Sequence, residues 1–343
     1  MAYIRKRSGK YSVEIRKLGT QNIFQTFNKK SDAIKFANQR EVEIQQRTFK
    51  DTTTASRTLL KDLLLEERAI RIIKGKDEKK RDIYKINKIL RYDIVNKSLI
   101  DLDNSDFAKY RDIRFSEGRS GSTINREFSI MSVLIQRAID EKNCWLPTFP
   151  LNKKTRPKEN PPKERRLEEG ELEKIFNYCN NGSKFKKASP FWKPSIIFAI
   201  ETCMRQGEQF KLNWKDINFD KRTAFLSSEI TKSSQSRTIP LSAKAIEVLN
   251  YLPRDINGNV FPMSGDYISK GFSLMAKKLN LIGLTWHCLR REGISRLLEN
   301  GFGVSECMRI SGHSTLKAFE IYIKHNVENL TQKLAINDSK SPF

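Results

Sequence analysis

The stretch SGHSTLKAFEIYIKH (Ser311–His325) holds two of the three histidines of a 343-residue chain, and Tyr322 follows His313 by nine positions. A phenol can act as a covalent nucleophile, but its free pKa of about 10 keeps it protonated at neutral pH, so it requires an acceptor and a positive field nearby. Candidate groups lie upstream. In TWHCLRREG, His287 and Arg290 stand three apart and share a helix face, and in TCMRQGEQFKLNWKDI, Arg205 and Glu208 have the same spacing. Lys232 sits at the mouth of a Ser-rich turn. Each piece also has an ordinary reading. Leu316, Phe319 and Ile323 make an apolar helix face with Tyr322 at its edge. An RxxE pair is a common intrahelical contact, HxxR is an ordinary pattern in a basic protein, and a turn lysine favours solubility.

The bulk composition shifts that balance. Against 40 Asp and Glu the chain carries 64 Lys and Arg, a formal charge of +24, while 38% of its residues are hydrophobic and 30% charged. A folded chain with this self-repulsion is relieved by a polyanion, which points to nucleic acid ahead of an anionic membrane, because no basic amphipathic anchor stands out. The length implies two or three domains. Five scattered cysteines, without CxxC or zinc-ligand spacing, are read as reduced thiols in a cytosolic compartment with no structural metal. The N-terminus lacks the apolar region of a secretory signal, and no apolar run approaches the roughly 18 residues of a membrane span. There is no Gly-rich phosphate loop and no evident carboxylate cluster for magnesium, so no cofactor is expected.

The elements that must position these residues follow from periodicity. Residues 1–50 carry 12 Lys and Arg against 4 Asp and Glu. Tyr11, Val13 and Ile15 alternate as in a half-buried strand, NIFQTF offers another, and Ser31 is expected to cap a helix striped by Ala33, Phe36 and Ala37. Residues 55–150 read as a four-helix bundle. Its stripes are Leu59, Leu60, Leu63 and Leu64, then Ile83, Ile86 and Leu90. A helix capped by Ser105 and one from about Ser122 bearing Ile124, Phe128, Met131, Ile135 and Ala138 complete it. NKKTRPKENPPKERR (Asn152–Arg166), with three prolines and seven basic residues, is expected to be an extended basic linker covering 151–166. A mainly helical region over 167–335 is interrupted by TAFLSS and RTIPLS flanking EITKSSQS, read as a hairpin, and 336–343 form a tail.

In this order the separated motifs resemble the tyrosine recombinase family, the phage-integrase type of site-specific DNA recombinase. The MRQGE helix, the lysine hairpin before a TIPLS strand, the HCLRR box, and a Gly-His with a tyrosine ten residues after the glycine carry the resemblance. The segment STINREFSIMSVLIQRAI is similar to the family's core-binding domain, and residues 1–50 to its small three-stranded arm-binding domain. The resemblance therefore implies a multidomain α+β chain: a small sheet with one helix, a helical bundle, and a mainly α catalytic domain with a small β-hairpin or sheet. Three positions depart from the usual pattern. Cys203 stands where a glycine commonly precedes the first arginine box, Cys288 where an acidic residue often follows the histidine, and Ser311 where leucine usually precedes Gly-His.

The chemistry implied is phosphoryl transfer. Arg205 and Arg290 would offer planar bidentate donors to the non-bridging oxygens of a DNA phosphate, a task lysine performs poorly. Tyr322 would be the nucleophile, with His287 as general-base candidate and His313 as a hydrogen-bond donor to the phosphate. By resemblance, Lys232 protonates the leaving 5′ oxygen, and Glu208 orients an arginine or its helix. Arg5, Lys6, Arg7, Lys10 and Arg16 in the first unit, and Lys153, Lys154, Arg156 and Lys158 in the linker, are the candidate DNA contacts. Implied partners are double-stranded DNA with core and arm sites, a homotetramer on that DNA, a DNA-bending host factor and an excisionase, in the cytoplasm of a bacterial cell, without a membrane. The alternatives within reach are a chromosome-dimer resolvase, a type IB topoisomerase and a non-catalytic DNA-binding regulator of the same fold.

Overall fold

The computed structural model describes residues 2–16, 23–46, 50–73, 77–161, 164–181, 189–231 and 235–323, excepting the side chains of 77–81, 181 and 189. Lys232 and the tail 336–343 lie outside these residues. The chain divides into two compact units, Met1–Pro161 and Pro162–Phe343.

The first unit begins with an antiparallel sheet, β1 (Ala2–Arg7), β2 (Lys10–Ile15) and β3 (Ile23–Phe27), backed by α1 (Lys30–Gln45). The strand period of two decides the faces. Val13 and Ile15 are buried with Ala33, Ala37 and Ile44 of the helix, and Ile4, Tyr11, Ile23 and Phe27 pack around them. The helix opens at Lys29, not Ser31, whose hydroxyl instead meets Asp32 at 3.4 Å.

Its helical part comprises α2 (Thr53–Arg57), α3 (Leu60–Ile73), α4 (Asp77–Ile89), α5 (Asn104–Ser116) and α6 (Gly121–Glu141). Leu60, Leu63, Leu64, Ile86, Phe107, Phe128, Met131 and Ile135 form one core. The cap of α5 also differs from expectation by two residues: Asp103, rather than Ser105, caps it in a box with Asp106. The next helix, α6, begins at Gly121, one residue from its expected start, and is capped by Ser120. Both capping side chains sit one residue before the first helical turn, where the backbone N–H groups lack partners. Within this core Arg114 and Glu127 form a buried pair at 2.7 Å, and the Tyr110 hydroxyl donates to Glu127 at 2.9 Å.

The linker is less extended than its prolines suggest. Lys153–Thr155 form a 3₁₀ turn, and Arg156 bonds Ser132 of α6 at 3.0 Å. In the second unit Arg165 pairs with Glu171, and Arg166 with Glu292 at 3.1 Å and with Glu299. Three of the linker's cations are thereby committed inside the two units.

The second unit runs α7 (Glu171–Asn181), α8 (Ser189–Thr202) and α9 (Gln206–Gln209), then a sheet of β4 (Ile217–Asn218), β5 (Thr223–Leu226) and β6 (Arg237–Pro240). It continues with α10 (Ala243–Tyr251), α11 (Gly265–Lys278), α12 (Trp286–Glu299), α13 (Val304–Ser311) and α14 (Leu316–Ile323). The expected hairpin is thus the β5–β6 pair of a three-stranded antiparallel sheet. The central α8 packs against α10 and α12. Gly293 makes the α12 crossing possible, since a Cβ there would come within 2.1 Å of the Ile200 carbonyl oxygen. No helix among the described residues is long and apolar enough to cross a membrane.

Candidate active site

The site is built from the turn after α8, the first two turns of α12, the turn after α13, and α14. Arg205 precedes α9, where Glu208 accepts from its backbone N–H and from Nη1, each at 2.9 Å. Only 1% of the Glu208 side chain is exposed. A second guanidinium, Arg237 of β6, holds the same carboxylate through Nη1 at 3.1 Å and Nη2 at 2.6 Å. Burial alone would raise the Glu208 carboxyl, but Arg237 and then Arg205 outweigh it and hold it below the ordinary carboxylate range. Arg237 was not among the candidates drawn from sequence. Its signal was weak but present: in RTIP it shares the strand phase of buried Ile239, so a cation points inward.

The Gly-His pair follows from one backbone requirement. Gly312 ends α13 in the left-handed region (φ 71°), and a Cβ there would lie 2.6 Å from Arg237 Cζ. Its carbonyl accepts from Arg205 Nη2 at 2.7 Å. The turn delivers His313 to Arg290, with Nε2 3.4 Å from Nη2, while Nδ1 lies 2.7 Å from Ser311 Oγ.

Arg290 is 3% exposed, and its Nη1 donates to the Cys203 carbonyl at 2.6 Å. Cys203 adopts φ 53°, a conformation that costs a non-glycine residue about 1 kcal/mol or more. That conformation accounts for the glycine usual at this position. Burial lifts the Cys203 thiol to about 12, so it is not a reactive thiolate. Cys288, where an acidic residue is usual, occupies the third position of α12, and its sulfur accepts from the Thr285 N–H at 3.3 Å, closing the capping box of that helix. All five cysteines are free and buried.

Tyr322 is not at the edge of an apolar face. It is 6% exposed, and Phe319 is fully buried, whereas Leu316 and Ile323 are 53% and 37% exposed. The buried face of α14 is therefore Phe319–Tyr322, closed over Cys203, Ile294, Leu298 and Cys307. The Tyr322 ring lies 5.2 Å from Phe319 and 5.4 Å from His313, centroid to centroid, and its hydroxyl is within electrostatic reach of Arg290. His287, exposed in the first turn of α12, is near enough to act on the charge of His313. Five of the six expected catalytic residues are thus brought together, and Lys232 is outside the described residues.

The cluster is strongly electropositive. Burial, then Arg290, Arg205, His287 and Arg237, push His313 down to about 3, so it is neutral at physiological pH. Burial and Arg205 lower Arg290 to about 10, which leaves it charged. His313 and Glu208 both bind protons less readily in the folded than in the unfolded chain, so protonation favours unfolding. Their contribution is complete above pH 6.5 and is lost as the pH falls, His313 first and Glu208 below 4.5. Denaturation midpoints are expected to decline from pH 6.5 downward, and a His313→Gln variant to have a shallower slope above pH 4.5.

In the first unit, sheet register separates the candidate contacts. Arg5, Arg7, Lys10 and Arg16 share the outer face with Tyr3 and Phe24, which are 62% and 60% exposed. Lys6 lies on the opposite face, over the Tyr11 ring at 5.8 Å. Arg16 pairs with Glu14, Lys153, Lys154 and Lys158 are exposed, and Arg156 is held on α6.

Residues 165–329 match the phage integrase family. A shufflon-specific DNA recombinase of Escherichia coli is 30% identical over 263 residues, covering 74% of this chain and 66% of that protein. A protein provisionally named integrase/recombinase in Haemophilus influenzae is 30% identical over 331 residues, 93% of this chain and 86% of its own length. Among solved structures, a lambda integrase tetramer bound to a Holliday junction has the same fold (TM-score 0.58, 21% identity), covering 92% of this chain and 95% of that one. The Tn1549 transposon integrase in complex with a circular intermediate DNA gives a TM-score of 0.63 at 17% identity, over 77% of this chain and 95% of its own.

Proposed function

The chain belongs to the phage integrase family and is a tyrosine-type site-specific DNA recombinase, and from that premise we propose that Tyr322 is its nucleophile and that Arg205 and Arg290 clamp the scissile phosphate. The observation carrying this reading is the convergence of Arg205, Arg290, His313 and Tyr322, from four separate segments, around the Gly312 turn. Two buried-side guanidiniums held in advance by Glu208 and the Cys203 carbonyl meet charge on a five-coordinate phosphorus without reorganising.

In this mechanism His287 takes the phenol proton and Tyr322 Oη attacks phosphorus. The bond to the 5′ oxygen breaks, Lys232 protonates that oxygen, and a 3′-phosphotyrosine with a free 5′ hydroxyl remains. The 5′ hydroxyl of a partner duplex then gives its proton to Lys232 and attacks the phosphotyrosine, while His287 returns the phenol proton to Tyr322 as the P–O bond to tyrosine breaks, exchanging strands through a Holliday junction. The phosphotyrosyl bond conserves the energy of the phosphodiester, so rejoining consumes no nucleotide.

The outer face of β1–β3, with its cations and two aromatics, is suited to arm-type DNA sites, and the helical part with the second unit to a core site. A tetramer on two sites, with a bending protein and an excisionase inside a bacterial cell, completes the proposal. The test is a nicked suicide duplex from which the short 5′ fragment diffuses away. A denaturation-resistant protein–DNA adduct linked at a 3′ phosphate is expected, and its absence on cognate sites would refute the reading. DNA affinity should fall steeply with salt as phosphate counterions are displaced.

A further inference from the structure

Ser311 ends α13 and is fully buried. Its Oγ lies 2.6 Å from the Cys307 carbonyl oxygen and 2.7 Å from His313 Nδ1. A hydroxyl has one proton to give. Given to Nδ1, it would leave two oxygens facing each other at 2.6 Å inside the protein with no proton between them. Given to the carbonyl, it leaves Oγ as an acceptor, and the imidazole proton must then sit on Nδ1. The other ring nitrogen, Nε2, carries a lone pair and faces Arg290 Nη2 at 3.4 Å, a group that can only donate.

The remaining neighbours agree. Arg205, Arg237 and His287 act on the ring by charge, and its flanks are the Phe319 and Tyr322 rings. With several cations around it, the buried imidazole holds a single proton at neutral pH. We propose that Ser311 is a positioning residue that fixes His313 as the Nδ1–H tautomer, making this histidine a hydrogen-bond acceptor that orients Arg290 and not a donor to the phosphate. One directed chain of donors then runs from the Arg290 guanidinium through His313 and Ser311 to the Cys307 carbonyl. The leucine usual before Gly-His has no group to do this, so the device belongs to this sequence. The structural claim stands without DNA, and only its catalytic consequence rests on the recombinase reading.

The primary experiment is ¹⁵N NMR of the full chain labelled at histidine, without DNA, near pH 7. Three histidines make assignment feasible by comparison with a His313→Gln variant. A proton on Nδ1 of His313 and an unprotonated Nε2 are expected, and a proton on Nε2 would overturn the proposal. In a Ser311→Ala variant the tautomers should mix and the rate of adduct formation on the nicked duplex should drop about tenfold, as for one lost buried hydrogen bond. DNA affinity should be unchanged, and Ser311→Thr, which keeps the hydroxyl, should recover the parent tautomer. Retention of both tautomer and rate by Ser311→Ala would also overturn it. A parent protein with the Nδ1–H tautomer that forms no adduct would uphold this assignment and refute the recombinase mechanism instead.

Discussion

Tyr322→Phe is expected to lower adduct formation on a nicked duplex by roughly a thousandfold or more, because Tyr322 supplies the phenol that packs on His313 within electrostatic reach of Arg290. The substitution isolates chemistry from folding. The ring is 6% exposed and packs on Phe319 and His313, contacts that phenylalanine retains. Stability should therefore change by less than about 1.5 kcal/mol, as for a volume-conserving swap. Affinity for DNA should be unaffected, since the oxygen forms a bond only after the phosphate is seated. A variant that still yields the adduct would move the nucleophile elsewhere.

The second large effect is expected at Glu208. Its carboxylate, 1% exposed, is the common anchor of Arg205 and Arg237. Glu208→Gln removes the charge and sets an amide N–H against guanidinium donors. Breaking a buried ion pair by removing one partner costs about 3–5 kcal/mol, and this carboxylate has two. Denaturation should show that loss, and adduct formation should fall by roughly a hundredfold as Arg205 is released from its preset geometry. The acid sensitivity below pH 4.5 should shrink with it, since the depressed carboxyl is its source. A variant that keeps full stability and loses only activity would show that Glu208 acts on the phosphate and not on the arginines. Pairing it with Arg237→Gln should give less than additive losses, because both changes disrupt one contact.

The sheet and helix of the first unit were legible because alternation and helical periodicity record which face meets a core, as Val13, Ile15, Ala33 and Ala37 do. Caps were legible only to within two residues, because several polar side chains near a helix start compete for the same free N–H groups, and geometry chose Asp103 over Ser105. The linker misled for a related reason. Charge in a sequence is counted, but whether Arg156, Arg165 and Arg166 are free depends on Ser132, Glu171 and Glu292, which chain position does not reveal.

At the site, residue types and their order along the chain carried the family resemblance from which the arginines, histidines and tyrosine were proposed, and those groups suit phosphoryl transfer to a phenol. Tertiary structure alone decided how they are held. It turned Tyr322 inward, exposed Leu316 and Ile323, and brought Arg237 onto Glu208 across 29 positions. It also gave the three unusual residues their functions, Cys203 as a left-handed turn, Cys288 as a cap and Ser311 as the acceptor that orients His313. The physical reason is that chemical capacity resides in single side chains, whereas pKa, tautomer and orientation arise from neighbours that only the folded chain supplies.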